Sequence, residues 1–189
     1  MQKQTDGKIL TTRNLAYCAL LAALSVVLAR LIIPMPNVTT RFSIEAVPIF
    51  LAGMLFGPLA GGLVGFSADL VGCLFSGYGY NPLFCLPPIL YGVFGGVFRR
   101  YLAQKYSLPR LGLSFLPPVA LGSILWQSAT LSFVYNSKGS FSASLIYFLS
   151  TRTVQFVVTL VLDVLIIYLL MRTGIFTRMV IWPPVSKEK

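Results

Sequence analysis

Long apolar runs, broken by short polar or proline-bearing segments, organise this chain from end to end. Residues 14–33 form the first run, 20 residues or about 30 Å as a helix, the thickness of one bilayer core. Pro34, Met35, Pro36 and Asn37 stop it, because proline lacks a donor and disfavours helix in the residue before it. A polar loop then continues to Phe42. The next run, residues 44–75, would be about 48 Å long as a single helix, too long for a core of about 30 Å. Gly57-Pro58 near its middle predicts a tight turn between two shorter spans. Residues 76–81 read as an outer loop, 82–98 as a fourth span, 99–112 as a basic cytoplasmic segment and 113–135 as a fifth span. Residues 136–140 make another outer loop, and a sixth span runs over 142–171.

Charge decides between one helix and two over residues 44–75. With two spans, Arg99, Arg100, Lys105 and Arg110 fall on the same side as Lys3, Lys8 and Arg13, as the positive-inside bias requires. Eleven of the 15 Lys and Arg residues then lie inside, with both termini cytoplasmic. The expected fold is therefore an all-α membrane protein, a bundle of six transmembrane helices, with residues 1–189 as one transmembrane domain. Composition agrees. The chain is 56% hydrophobic with only 11% charged residues, and its mean hydropathy is +0.80. So apolar a surface needs lipid as its solvent. The net charge of +10 does not point to nucleic acid, because the basic residues sit at the termini and in one inter-helix segment. Cys18, Cys73 and Cys85 lie in apolar runs without metal-ligand spacing, and the chain has no histidine, so neither a metal nor a cofactor is expected.

Small residues recur at helical spacing. Gly53, Gly57, Gly61 and Gly65 come every fourth position, as do Gly92 and Gly96, which predicts close helix contacts inside the bundle. Ala19 and Ala23, one turn apart on the first span, present a face that fits either internal packing or another membrane subunit.

Five ionisable residues fall in or near the spans, where each costs several kcal/mol unless paired or solvated: Arg30, Glu45, Asp69, Arg152 and Asp163. Arg30 closes the first span and Glu45 opens the second. Asp69 lies roughly 15 Å above the inner turn. Arg152 is about ten residues into the last span, so these four converge on the outer half. Asp163, about 16 Å below Arg152, falls in the inner half. Pairing with one another, for instance Arg30 with Glu45, would satisfy them without any ligand. Yet two cations and two anions at one depth, near Tyr78, Tyr80, Asn81, Trp126, Gln127 and Tyr135, exceed what packing requires. Such aromatic and amide groups supply stacking faces and directional hydrogen bonds for an organic ligand, although interfacial belting also places tyrosines there. Arg41 and Lys138 add positive charge above, a field that suits an aromatic ligand bearing carboxylates.

Catalysis is not expected. Ser-His and His-metal sites need histidine, no aspartate pair has protease or metal spacing, and no GKS/T loop is present for ATP hydrolysis. Uphill transport would need an energy-supplying partner. A stand-alone proton-coupled carrier with Asp69 and Asp163 as a relay remains the competing expectation.

The run from Ile44 to Leu70, with Pro48-Ile49-Phe50-Leu51-Ala52-Gly53-Met54-Leu55-Phe56-Gly57-Pro58 followed by Asp69 and by Tyr80-Asn81-Pro82, resembles the second and third helices of substrate-binding S components of energy-coupling-factor (ECF) vitamin transporters. It looks closest to the folate-specific branch. The resemblance implies capture of a vitamin from outside, in a pocket of the outer half covered by loops. It also implies assembly with one transmembrane coupling subunit and two ATPase subunits, and docking through the Ala19–Ala23 face. For such a ligand, Glu45 or Asp69 suits the donor edge of a pterin. Tyr80, Phe84 or Trp126 suits its aminobenzoyl ring, and Arg30, Arg41, Lys138 or Arg152 its glutamate tail, with Asn81 and Gln127 as further polar contacts.

Overall fold

The structure, a computed structural model of the chain, describes residues 12–30, 33–34, 41–42, 44–75, 80–134, 141–174 and 176. These are all-helical apart from one antiparallel bridge between β1 (Ile33–Pro34) and β2 (Arg41–Phe42), with Ile33 opposite Phe42. The helices are α1 (Thr12–Leu28), α2 (Ala46–Phe56), α3 (Pro58–Leu74), α4 (Leu86–Val97), α5 (Arg99–Gln104), α6 (Leu108–Pro118), α7 (Gln127–Val134) and α8 (Phe141–Arg172). A 3₁₀ turn at Pro82–Phe84 precedes α4, and a π-helical stretch at Val119–Trp126 joins α6 to α7 without a break. The rod Leu108–Val134 and α8 are each long and apolar enough to cross a membrane; Thr12–Leu28, Ala46–Phe56, Pro58–Leu74 and Pro82–Val97 are apolar but shorter.

Polarity in this bundle is inverted relative to a water-soluble one. Along α8, Val154, Val157, Val161, Leu165 and Leu169 are exposed while Gln155, Thr159 and Asp163 are buried. Likewise α3 exposes Leu59, Leu63, Phe66, Leu70 and Leu74. Water would penalise so large an apolar surface, whereas hydrocarbon accepts it and penalises exposed polar groups instead.

Helix α2 is the centre of the molecule. Every residue from Ala46 to Leu55 is buried, as an all-apolar helix surrounded by other helices must be. It packs on α1, α3, α4 and α8. Phe50 lies 4.3 Å from Phe115 between ring centroids, and Tyr91, Phe115, Val164 and Ile167 belong to the same core. The break expected at Gly57-Pro58 is a single residue wide. Gly57 has φ +104°, which only glycine adopts without strain, and Pro58 starts α3, where its missing N–H costs nothing.

The glycine pattern places three backbones against one another. A Cβ on Gly53 would collide with the Gly92 carbonyl oxygen, one on Gly61 with Gly92 and with the Gly53 Cα, and one on Gly96 with Pro58. The internal-packing expectation for these residues therefore holds at atomic contact. Lipid gives helices no hydrophobic reason to associate, so such close approach supplies the dispersion that holds them.

Several boundaries differ from those expected. Helix α1 stops at Leu28, five residues before Ile33, because Pro34 favours extended backbone in the residue before it and Ile33 is drawn into the bridge. The basic segment 99–112 contains α5 and the start of α6, built from good helix formers such as Arg, Leu, Ala and Gln. The fifth apolar run contains Pro117 and Pro118, and the widened π turns begin directly after them at Val119. Prolines that remove helical donors are a recognised cause of such local rearrangement.

Candidate functional site

Two groups of polar side chains gather where the helices meet, and residues expected at the site occur in both. The first gathers where the C-termini of α1 and α3 meet the start of α4. Arg30 Nη2 donates to the Gly72 carbonyl at 2.7 Å, a cationic cap on the unsatisfied end of α3. Asp69, half-buried in α3, shares a hydrogen bond with the Cys85 thiol, which also contacts the Tyr80 hydroxyl. Cys73, one turn beyond Asp69, is within electrostatic reach of both Asp69 and Arg30.

The 3₁₀ turn beside this group is held by two of the expected site residues. Asn81 Oδ1 accepts from the Leu83 N–H at 3.1 Å, and Trp126 Nε1 donates to the Leu83 carbonyl at 2.7 Å. Trp126 and Tyr80 both remain substantially exposed, so each offers a ring face. Phe84 and Gln127 are half-buried nearby in the chain.

The second group lies between the start of α2, the middle of α4, the π-helical stretch and α8. Ser25 Oγ donates to the Glu45 carbonyl at 2.9 Å, tying α1 to the start of α2. Tyr91 Oη and Ser123 Oγ are 2.8 Å apart and buried. Tyr91 is within electrostatic reach of Asp163 and Glu45, and Asp163 of Glu45. Asp163 is only 3% exposed, and its buried Oδ1 has no hydrogen-bond partner.

Of the residues expected to converge, Arg30 and Asp69 fall in the first group and Glu45 in the second, where it is within electrostatic reach of Asp163. Glu45 itself is exposed at the start of α2, whose buried residues begin at Ala46. Arg152 lies on α8 with its guanidinium 5.7 Å from the centre of the Phe156 ring, one turn on. The Arg41 side chain, Tyr78, Tyr135 and Lys138 lie outside the described residues. Ala19 and Ala23 are exposed on α1, facing away from the core while Ala22 packs against it.

Tyr91, Ser123, Gln155 and Thr159 were not singled out from the sequence. Gln155, Thr159 and Asp163 are spaced by four residues on one face of α8, a signal that marks a polar stripe in an otherwise apolar span. Tyr91 and Ser123 carry no comparable signal. Among the described residues, no group of three metal-binding side chains occurs.

A helical bundle that turns apolar faces outward and buries polar side chains such as Gln155, Thr159 and Asp163 is the build of an integral membrane subunit. The chain belongs to the S-component family of ECF-type transporters: the family model described as the S component of an ECF-type riboflavin transporter matches residues 9–173. This is a family of transporter subunits, not of enzymes. The folate transporter FolT of Clostridium novyi (strain NT) is 33% identical over 100 residues, 52% of this chain and 56% of that protein. The match thus spans little more than half the length of that curated relative. The crystal structure of FolT bound with folic acid superposes with a TM-score of 0.72 at 27% identity, covering 86% of this chain and 95% of that one. The S component for biotin from an ECF-type ABC transporter has a TM-score of 0.63 at 19% identity, covering 95% and 100%, and shares the fold.

Proposed function

We propose that this chain captures folate from outside the cell as the substrate-binding subunit of an ECF-type importer. The observation that carries this reading is the likeness, along most of both chains, to FolT bound with folic acid. In this reading residues 1–189 form one multi-pass domain of six spans in the plasma membrane, with both termini cytoplasmic. A transmembrane coupling subunit docks on the exposed Ala19–Ala23 face, and two ATPase subunits drive uptake.

The chemistry of the bundle supports the choice of ligand. Arg30 and Arg152, with Arg41 and Lys138 from the loops, neutralise the two carboxylates of a glutamate tail. Tyr80, Phe84 and Trp126 offer stacking faces for its aromatic body, next to Asn81 and Gln127. Glu45 and Asp69 are acceptors for heterocycle N–H groups. The wording of the matching family favours riboflavin as a second reading, and a phosphate-free, neutral isoalloxazine would make little use of so many cations.

The test is calorimetry on the purified chain in detergent with folic acid, riboflavin, biotin and pantothenate, without ATP or other subunits. Folic acid alone should bind. Heat with riboflavin or another vitamin and none with folic acid would keep the family and change the cargo. Uptake into vesicles by this chain by itself, abolished by an uncoupler, would instead support a proton-coupled carrier.

A further inference from the structure

At one end of the bundle four half-buried side chains form a column that ends in a cation. Phe94 and Phe98, one turn apart on α4, stack with 6.2 Å between ring centroids. Tyr101 on α5 meets Phe98 edge-on, 6.4 Å away at 67°. The Arg110 guanidinium carbon then lies 4.8 Å from the centre of the Tyr101 ring, within cation–π range. Leu102 and Leu111, both fully buried in the core, anchor α5 and the start of α6, so the two partners of that last contact are each fixed to the bundle.

The guanidinium at the end of this column lacks an acceptor. Its Nη1 is buried without a hydrogen-bond partner, and a buried donor left unmade is costly. The protein has little to offer it. Of the five acidic residues in the chain, Asp6 and Glu188 lie outside the described residues, and Glu45, Asp69 and Asp163 sit in the two groups described above. The other charges of this segment are cations: Arg100 and Lys105 are exposed and Arg99 is half-buried. Positive charge beside a span is ordinary in a membrane protein. Topology alone does not call for one of these arginines to be stacked, with its N–H fork fixed in place.

What surrounds the cation selects the anion. Val97, Leu108, Leu113 and Leu116 flank the segment and are exposed, as residues in contact with hydrocarbon are. Basic residues between such flanks stand at the level where a bilayer passes from chains to headgroups. An inorganic anion makes no use of apolar flanks or aromatic rings, and an acidic protein segment is poorly solvated among them. A phospholipid uses every part: its phosphodiester takes the planar N–H fork of arginine, its acyl chain has Phe98 and Phe94 to lie along, and a headgroup with no cation of its own is drawn further by Arg100 and Lys105. We infer that the Tyr101–Arg110 stack is a binding site for an anionic phospholipid, with the phosphodiester on Arg110 and an acyl chain along Phe98 and Phe94. This holds whichever vitamin the chain carries and whichever side of the membrane this end faces.

Native mass spectrometry of the full chain, released from mixed micelles, tests this with phosphatidylglycerol and phosphatidylcholine of matched acyl chains in equal amounts. Wild type should retain phosphatidylglycerol over phosphatidylcholine by about fivefold or more, the factor that one cation near a charged surface supplies. Arg110→Gln should lose most of that preference and Tyr101→Leu should weaken it. Lys105→Gln removes the same charge from the same segment and should keep it. Equal retention of the two lipids by wild type, or a loss in Lys105→Gln as large as in Arg110→Gln, overturns the assignment and leaves only diffuse attraction. If Arg110→Gln does not fold, Arg110→Lys decides: it keeps the charge without the planar fork, so the preference should fall, and an unchanged preference refutes the site. Inorganic phosphate that displaces the phosphatidylglycerol at equal concentration would show a simple anion site, and an acidic peptide that does so a protein-docking one; either result overturns the lipid assignment.

Discussion

Gly92→Ala should weaken the bundle more than any other single methyl addition among the glycines of α4 that face α3. In the structure a Cβ at Gly92 would strike the Gly61 carbonyl and lie 2.8 Å from the Gly62 nitrogen. An unstrained contact of this kind needs about 3.4 Å or more, and opening the interface by 0.5–1 Å gives up roughly a quarter to a half of each dispersion contact along it. The obstructing atoms are backbone, so no side chain can swing away. Overpacking typically costs about 1–3 kcal/mol, and with rigid backbone opposite the methyl the upper end applies. Helix propensity returns up to about 1 kcal/mol for replacing glycine by alanine, leaving a net loss of roughly 2 kcal/mol, or about 4–8 °C for a chain of this size. Gly112→Ala is the matched control, since nothing lies within 4 Å of its Cβ position. Thermal unfolding of both in detergent, followed by light scattering or a thiol-reactive dye, gives the comparison. A Gly92→Ala protein that melts with wild type, or a Gly112→Ala protein that falls as far, would refute the claim that these helices touch through their backbones.

Three further perturbations separate stability from binding and from transport. Tyr91→Phe leaves the buried Ser123 hydroxyl without its 2.8 Å partner and should cost about 1–2 kcal/mol in thermal unfolding; an unchanged melting temperature would mean that the pair is not formed in the folded protein. Arg30→Ala should lower folic-acid affinity at least tenfold by calorimetry, about 1.5 kcal/mol, whereas a lower melting temperature with intact affinity would confine Arg30 to capping α3 at Gly72. Ala19→Leu and Ala23→Leu should leave folic-acid binding unchanged and abolish ATP-driven uptake in proteoliposomes carrying the partner subunits; uptake at the wild-type rate would remove the docking face from α1.

What the sequence revealed of this fold was what lipid makes conspicuous. Apolar run lengths, the Gly57-Pro58 break and the four-residue glycine spacing all survive in the helices and in their backbone contacts. The polar residues were legible only in part. Glu45, expected near the surface, is exposed at the start of α2, but its electrostatic reach to Asp163 depends on how α2 packs against α8, which neither segment's own pattern shows. The π-helical stretch was illegible for a related reason. It depends on how the backbone adjusts after Pro117-Pro118, and the residues within it, Val119–Trp126, have an ordinary apolar composition.

The two halves of the bundle are built by opposite means, and that division has a functional consequence. Around Gly53, Gly61 and Gly92 the helices α2, α3 and α4 are locked by backbone contact, where displacement by half an ångström costs stability. On α7 and α8, Ser128, Ser132, Gln155 and Thr159 are buried, and two of the hydroxyls bond back to their own helices: Ser132 to the Ser128 carbonyl at 2.7 Å, and Thr159 to those of Gln155 and Phe156 at 3.3 and 3.2 Å. Hydrogen bonds kept within one helix do not tie it to its neighbour, so these two hydroxyls hold α7 and α8 together less than the glycine contacts hold α2, α3 and α4. A ligand that must enter between helices and leave again needs one wall that is fixed and another that can part. The glycine-packed wall supplies the first, and α8 is the second. Stiffening the α7–α8 contact, for example by a disulfide between Ser128→Cys and a cysteine opposite on α8, should therefore slow folate entry and release together while leaving the glycine-packed half unchanged in stability; exchange rates that stay at wild-type values in the oxidised protein would show that the ligand passes elsewhere.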